Sequence, residues 1–267
     1  MGSLVEQTKG NLTFENVLMM AMNVPGVKID RRVFLKKELI KYCREDVIDM
    51  AIKENPAKAG ISKDIINKIS KSVIDYETTK VTTASVIASL PSSINFGVAI
   101  GASTADIVVY FTHIIRVVQE LAYLYGFGQF DFVEDNVDSD TMKQLMLFMG
   151  VMFGVQGAST ALKQFADIVA KQVSKKLSQK ALMKGTVYPI IKKIAAVIGI
   201  RMTRQIFADT VASAIPLAGS ALSGGLTYAM FQPRCMELRR NLMKYNISDP
   251  DYYRVVDVQE AQEVEET

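Results

Sequence analysis

The run TADIVVYFTHIIRVVQELAYLY, residues 104–125, is apolar almost all round at helical spacing, yet it carries Asp106, His113, Arg116 and Glu120. A helix that is hydrophobic on every side belongs inside a protein or a membrane. Ionised side chains in such a setting are costly unless they pair. This segment therefore demands helices around it and a partner for each charge. At about 100° per residue, Asp106, Tyr110, His113 and Glu120 share an arc of about 80°, with Arg116 about 40° beyond it.

That stripe reads in two ways. As a site, Asp106 and Glu120 would orient His113, the chain's only histidine, and Arg116. The histidine would then serve as proton carrier or pH sensor, or the arginine would grip a phosphate or lipid headgroup. As plain architecture, Arg116 and Glu120 pair at i,i+4 and a carbonyl satisfies His113. One histidine makes no catalytic constellation, so no catalytic residue is assigned and the architectural reading is preferred.

The rest of the chain predicts an all-α fold, a compact multi-helix bundle. Strand-like alternation is scarce, and Gly and Pro divide helical lengths throughout. A short helix over 11–22 leads to a turn at Pro25-Gly26. Asp30 is placed to cap one long helix, RRVFLKKELIKYCREDVIDMAIKE, that stops before Pro56. A third helix starts near Ser62 and runs toward Leu90. Leu90-Pro91 and Ile215-Pro216 each precede Gly-containing stretches, which suggests two helical hairpins with related corners. The organisation expected is a flexible N-terminus at 1–10, a single helical domain at 11–245, and an acidic, frayed tail at 246–267.

Three runs lack charge: 81–105, 144–162 and 210–233, with 25, 19 and 24 residues. Each is long enough to cross a bilayer. The first holds Pro91 mid-run and the third holds Pro216 with Gly219, Gly224 and Gly225, which favours joints between helices over spans. The pairs Gly97/Gly101 and Gly150/Gly154, with Gly157 beyond, suit close helix packing.

Charge is segregated. Residues 144–209 carry 10 Lys and Arg against 2 Asp and Glu, a local +8 in a chain of net +3. Lys163, Lys171, Lys175, Lys176, Lys180 and Lys184 alternate with apolar residues at helical spacing. Such a basic amphipathic helix either adsorbs to anionic lipid or presents an ordinary solvated face. Nucleic acid is not expected, because no aromatic platform accompanies the charge.

Metal and cofactor signals are missing. Cys43 and Cys235 belong to no CxxC or Cys/His cluster, and both are expected as reduced thiols of an intracellular protein. The acidic stretch 128–140, with Asp131, Glu134, Asp135, Asp138 and Asp140, lacks EF-hand spacing. No Walker loop, GxGxxG or HExxH is present.

Four segments carry a resemblance: VPGVKIDRRVFLKKEL at 24–39, ETTKVTTASVIASLP at 77–91, TADIVVYFTHIIRVVQELAYLYGF at 104–127 and MTRQIFADTVASAIPLAGSALSGG at 202–225. In this order they resemble the bacterial EcsC protein family, over roughly residues 24–245. The corner after Leu90-Pro91 departs from the pattern, reading SSINFGVA where glycine would follow proline directly. The resemblance implies a helical, membrane-associated bacterial protein and supplies no catalytic residue. The family's name comes from a gene beside an ABC transporter, which adds a transporter subunit as a possible partner.

The expectation is therefore a non-enzymatic protein at the cytoplasmic membrane face, holding anionic lipid through Lys171, Lys175, Lys176, Lys180 and Lys184. The alternatives are a soluble enzyme or ligand-binding protein with a polar site at Asp106, His113 and Arg116, and an adaptor of an ABC-type transporter. Oligomeric state is left open.

Overall fold

The computed structural model describes residues 14–82, 102–132, 140–174 and 224–265. Among these residues the chain is all-helical, a bundle with no strand. The helices are α1 Phe14–Met22, α2 Arg31–Leu39, α3 Glu45–Lys53, α4 Lys63–Thr82, α5 Ala102–Leu124, α6 Asp140–Met152, α7 Ala158–Ser174, α8 Gly224–Leu242 and α9 Pro250–Glu265. A 3-10 turn, Asn246–Ser248, joins the last two.

Helix α5 is the axis of the bundle. It packs against α1, α2, α4, α6 and α8, so its nearly continuous apolar surface is consumed on every side. Phe111, Ile114, Ile115, Val117, Val118 and Leu121 are all fully buried. An aromatic cluster closes its C-terminal end: Phe127 meets Phe148 edge-on at 5.0 Å between ring centroids, and Phe130 meets Phe148 at 5.8 Å. Edge-to-face contacts add to the burial these rings provide.

Asp30 does cap α2, its Oδ1 accepting from the Val33 amide at 2.8 Å. The single long helix expected from 31 to 54 is instead two. The amides of Tyr42 and Cys43 both bond the Leu39 carbonyl, closing the first helix. Arg44 is extended, and Glu45 and Asp46 then open α3, where acidic residues suit the helix dipole. The sequence marks the break as the gap between the apolar pairs Leu39-Ile40 and Val47-Ile48.

Arg31 binds the two short helices to the bundle. Its guanidinium donates to the carbonyls of Ile52 (2.6 Å), Ala51 (3.1 Å) and Phe127 (3.0 Å). Two of these carbonyls end α3, where a cation offsets the negative helix terminus. Burial pushes its pKa down to about 10, which leaves it charged at neutral pH.

Gly154 and Gly157 make a turn, while Gly150 lies buried within α6. Gly154 and Gly157 have φ of 68° and 87°. The amides of Gly154 and Val155 return to the carbonyls of Val151 and Gly150, the pattern in which a left-handed glycine ends a helix. The uncharged run 144–162 is thus broken between α6 and α7. Among the described residues no helix is long and apolar enough to cross a membrane. The corners at Pro91 and Pro216, the pair Gly97/Gly101 and most of the other two uncharged runs lie outside the described residues.

The segment read as an acidic tail is helical over Pro250–Glu265. Ile247 and Tyr253 are buried, and the buried Asn55 amide donates to the Ile247 carbonyl (3.1 Å) and the Tyr253 hydroxyl (2.8 Å). Pro250 is buried as well and Tyr252 packs against the core, so the segment is docked.

Candidate functional site

The charges of α5 find their partner on α4. The inward stripe of α4 runs Ile66, Ile69, Ser70, Val73, Ile74, Glu77 and Thr78, so Glu77 occupies a position whose spacing calls for an apolar residue. Its carboxylate is fully buried. His113 Nδ1 lies 2.7 Å from Glu77 Oε2. Facing a carboxylate, that nitrogen carries the proton and donates. Arg116 Nε donates to Glu77 Oε1 at 3.2 Å, and Arg116 Nη2 reaches the same oxygen at 3.2 Å. Arg116 Nη2 also lies 3.6 Å from Glu120 Oε1, the i,i+4 pair expected from the sequence.

The same face of α5 holds the loop that follows α1. Arg116 Nη1 donates to the Gly26 carbonyl. Gln119 Nε2 donates to the Val27 carbonyl at 2.8 Å, while its Oε1 accepts the Ile29 amide at 3.0 Å. Tyr123 Oη donates to the Ile29 carbonyl at 3.2 Å. Residues 116, 119 and 123 recur at helical spacing, so one stripe of α5 satisfies the backbone of Gly26 to Ile29. Buried backbone groups outside helices need such partners.

The two carboxylates are driven apart electrostatically. Burial opposes ionisation of Glu77, but the hydrogen bond from His113 and the charge of Arg116 outweigh it and hold its pKa below the usual carboxylate range. For Glu120, burial raises the pKa well above that range, and the neighbouring negative charge of Glu77 raises it further. Arg116 and Lys37 oppose this shift without reversing it. Glu120 Oε2 is buried with no hydrogen-bond partner, a position that favours the protonated carboxyl. The arrangement is thus a hydrogen-bonded Glu77–His113–Arg116 cluster beside one carboxyl whose burial favours the protonated form.

Of the predicted stripe, the structure brings together His113, Arg116 and Glu120. Tyr110 is not part of the cluster. Its ring sits edge-on to Phe111 and to Phe231 of α8, each at 5.8 Å, and its buried hydroxyl makes no hydrogen bond. Burial raises the Tyr110 pKa, with Arg234 opposing. Asp106 belongs to α5, but its side chain lies outside the described residues. Glu77, which the stripe did not include, orients both His113 and Arg116, and Glu120 pairs with Arg116.

A second buried cluster also went unforeseen. Arg239 Nε donates to Ser70 Oγ at 2.8 Å, and Ser70 Oγ lies 3.1 Å from Tyr125 Oη. Ser70 belongs to the same inward stripe of α4 as Glu77. Polar residues interrupting that stripe were the readable signal for both clusters.

Of the basic residues, Lys171 is exposed in the last turn of α7. Lys175, Lys176, Lys180 and Lys184 lie outside the described residues. The face of α7 that includes Leu162, Phe165, Ala166, Val169 and Val173 is buried, and Lys163 on the outer face pairs with Asp167 at 2.8 Å. Cys43 and Cys235 are free thiols, and burial raises the pKa of both, most at Cys235. Among the described residues no three His, Cys, Asp or Glu side chains gather where they could hold a metal ion. No family model, curated protein or solved structure matches this chain.

Proposed function

We propose that this protein is a non-enzymatic helical protein that attaches peripherally to the anionic inner face of a bacterial membrane. The observation that carries the reading is the +8 block of residues 144–209, 10 basic against 2 acidic, which includes the amphipathic helix α7 with Lys171 exposed in its last turn. Lysines near an anionic bilayer each contribute about 1 kcal/mol to attraction. The sequence carries four more after α7, Lys175, Lys176, Lys180 and Lys184, which suits reversible attachment. The resemblance to the EcsC family implies the same setting, and the family's gene neighbourhood makes a transporter subunit a further partner to seek.

The enzyme reading has less to stand on. Glu77 commits both carboxylate oxygens to His113 and Arg116, and Arg116 also holds the Gly26 carbonyl. Groups bound to each other and to the backbone in this way serve the fold.

Cosedimentation with vesicles tests the proposal. The chain is expected to pellet with phosphatidylcholine vesicles containing phosphatidylglycerol and not with phosphatidylcholine alone. High salt, or the double change Lys175→Glu and Lys176→Glu, is expected to release it. Undiminished binding by the double variant would rule out the basic segment as the attachment device.

A further inference from the structure

Helices α2 and α4 border an outward face on which exposed apolar side chains stand among basic ones. Val33 of α2 and Ile40, the residue that caps its C-terminus, are seven residues apart and fall on one stripe with Lys37 between them. They are 66% and 62% exposed. Tyr76 on α4, 53% exposed, meets the same stripe at Lys37, whose Nζ lies 6.0 Å from its ring centroid, and Lys80 Nζ lies 4.4 Å from it. Farther along, Lys68 of α4 lies 5.3 Å from the ring of Tyr42, just past α2. Residue numbers rise on one helix as they fall on the other, so the helices run antiparallel and these contacts join one surface.

Its composition narrows the partner. Between residues 32 and 44 the basic side chains Arg32, Lys36, Lys37, Lys41 and Arg44 are all exposed. The one acidic residue in that span, Glu38, is bound to Lys37 at 3.0 Å. Glu45 and Asp46, just beyond, are bound to Lys36 and Arg44. The core of a protein–protein interface is depleted in lysine. A water–lipid boundary favours the reverse mixture: aliphatic side chains, tyrosine, and lysines whose stems lie along apolar surface while their charges meet phosphate.

We propose that the α2–α4 face lies on an anionic lipid bilayer, with Val33, Ile40 and Tyr76 entering the boundary between headgroups and acyl chains. This rests on the membrane reading above and adds a contact surface made of residues other than those of the basic segment after α7.

The chain contains no tryptophan, so Tyr76→Trp creates a single reporter on this face. With phosphatidylcholine–phosphatidylglycerol vesicles its emission is expected to shift to the blue and to be quenched by brominated acyl chains. A reporter at the exposed Val258 of α9, Val258→Trp, is expected to do neither. In the unsubstituted background, Val33→Ser with Ile40→Ser is expected to weaken vesicle partitioning about tenfold. Both positions are exposed, and a thermal melt confirms that the fold is retained. Vesicle binding with a water-like emission from the Tyr76→Trp variant and an unaffected double-serine variant would overturn this surface while sparing the membrane reading. An unsubstituted chain that fails to pellet with these vesicles would overturn both.

Discussion

At the scale of the residue, the decisive choice is a carboxylate inside an apolar stripe. Glu77 is tolerated because two donors from α5 meet it, and Glu120 sits at the same arginine with one oxygen unbonded. Their contributions to stability respond to pH with opposite sign. Glu77, held low, contributes stability above the ordinary carboxylate pKa of about 4.3, and this is lost as pH falls through its lowered folded value. Glu120, held high, contributes fully below about 4.3, and this is lost as pH rises through its raised folded value. Glu120→Gln removes only the second effect. Urea titrations across pH should therefore show the variant gaining on the parent as pH rises, with the gain vanishing in acid. Parallel curves would show that Glu120 does not titrate abnormally. The sequence already showed that His113, Arg116 and Glu120 lie near one another on a helix, because that follows from spacing alone. It did not show that Glu77 completes the set, since the contact spans 36 residues to His113 and 39 to Arg116.

At the scale of the element, helix ends do most of the organising. Three turns end in a left-handed glycine whose following amide reaches back five residues: Gly60, Gly126 and Gly154. They differ in what surrounds them. A Cβ at Gly126 would lie 2.7 Å from Asn55 Nδ2 and 2.9 Å from the Ile247 carbonyl, whereas one at Gly60 meets nothing within 4 Å. Gly60→Ala should therefore cost about 1 kcal/mol, the left-handed backbone penalty alone. Gly126→Ala should cost about 2–3 kcal/mol, because it also forces apart the Asn55 contacts with the C-terminal segment. Equal losses in chemical denaturation would remove the steric half of this argument. The Asp30 cap was readable, being a contact three residues long. The break between α2 and α3 and the turn between α6 and α7 were not legible, because apolar spacing can bridge two short helices and a glycine can end a helix as well as pack one.

At the scale of the whole molecule, the C-terminal segment is docked by contacts from far along the chain. Tyr253 is buried and takes a hydrogen bond from the buried Asn55, 198 residues away. Deleting residues 250–267 should lower stability by about 3 kcal/mol or more, the scale of losing one large buried aromatic. An unchanged denaturation midpoint would return the segment to the frayed tail its composition suggests. The sequence by itself determined what is local: the helical class, the cap at Asp30, and the demand of a greasy helix for partners to its charges. Those follow from periodicity and from the cost of burying an ion, neither of which requires knowing what lies opposite. The tertiary structure alone decided that Glu77 faces His113, that Tyr110 turns toward α8, and that the acidic end becomes a docked helix. Each depends on how separate helices cross, and the period of a single helix carries no record of its neighbours.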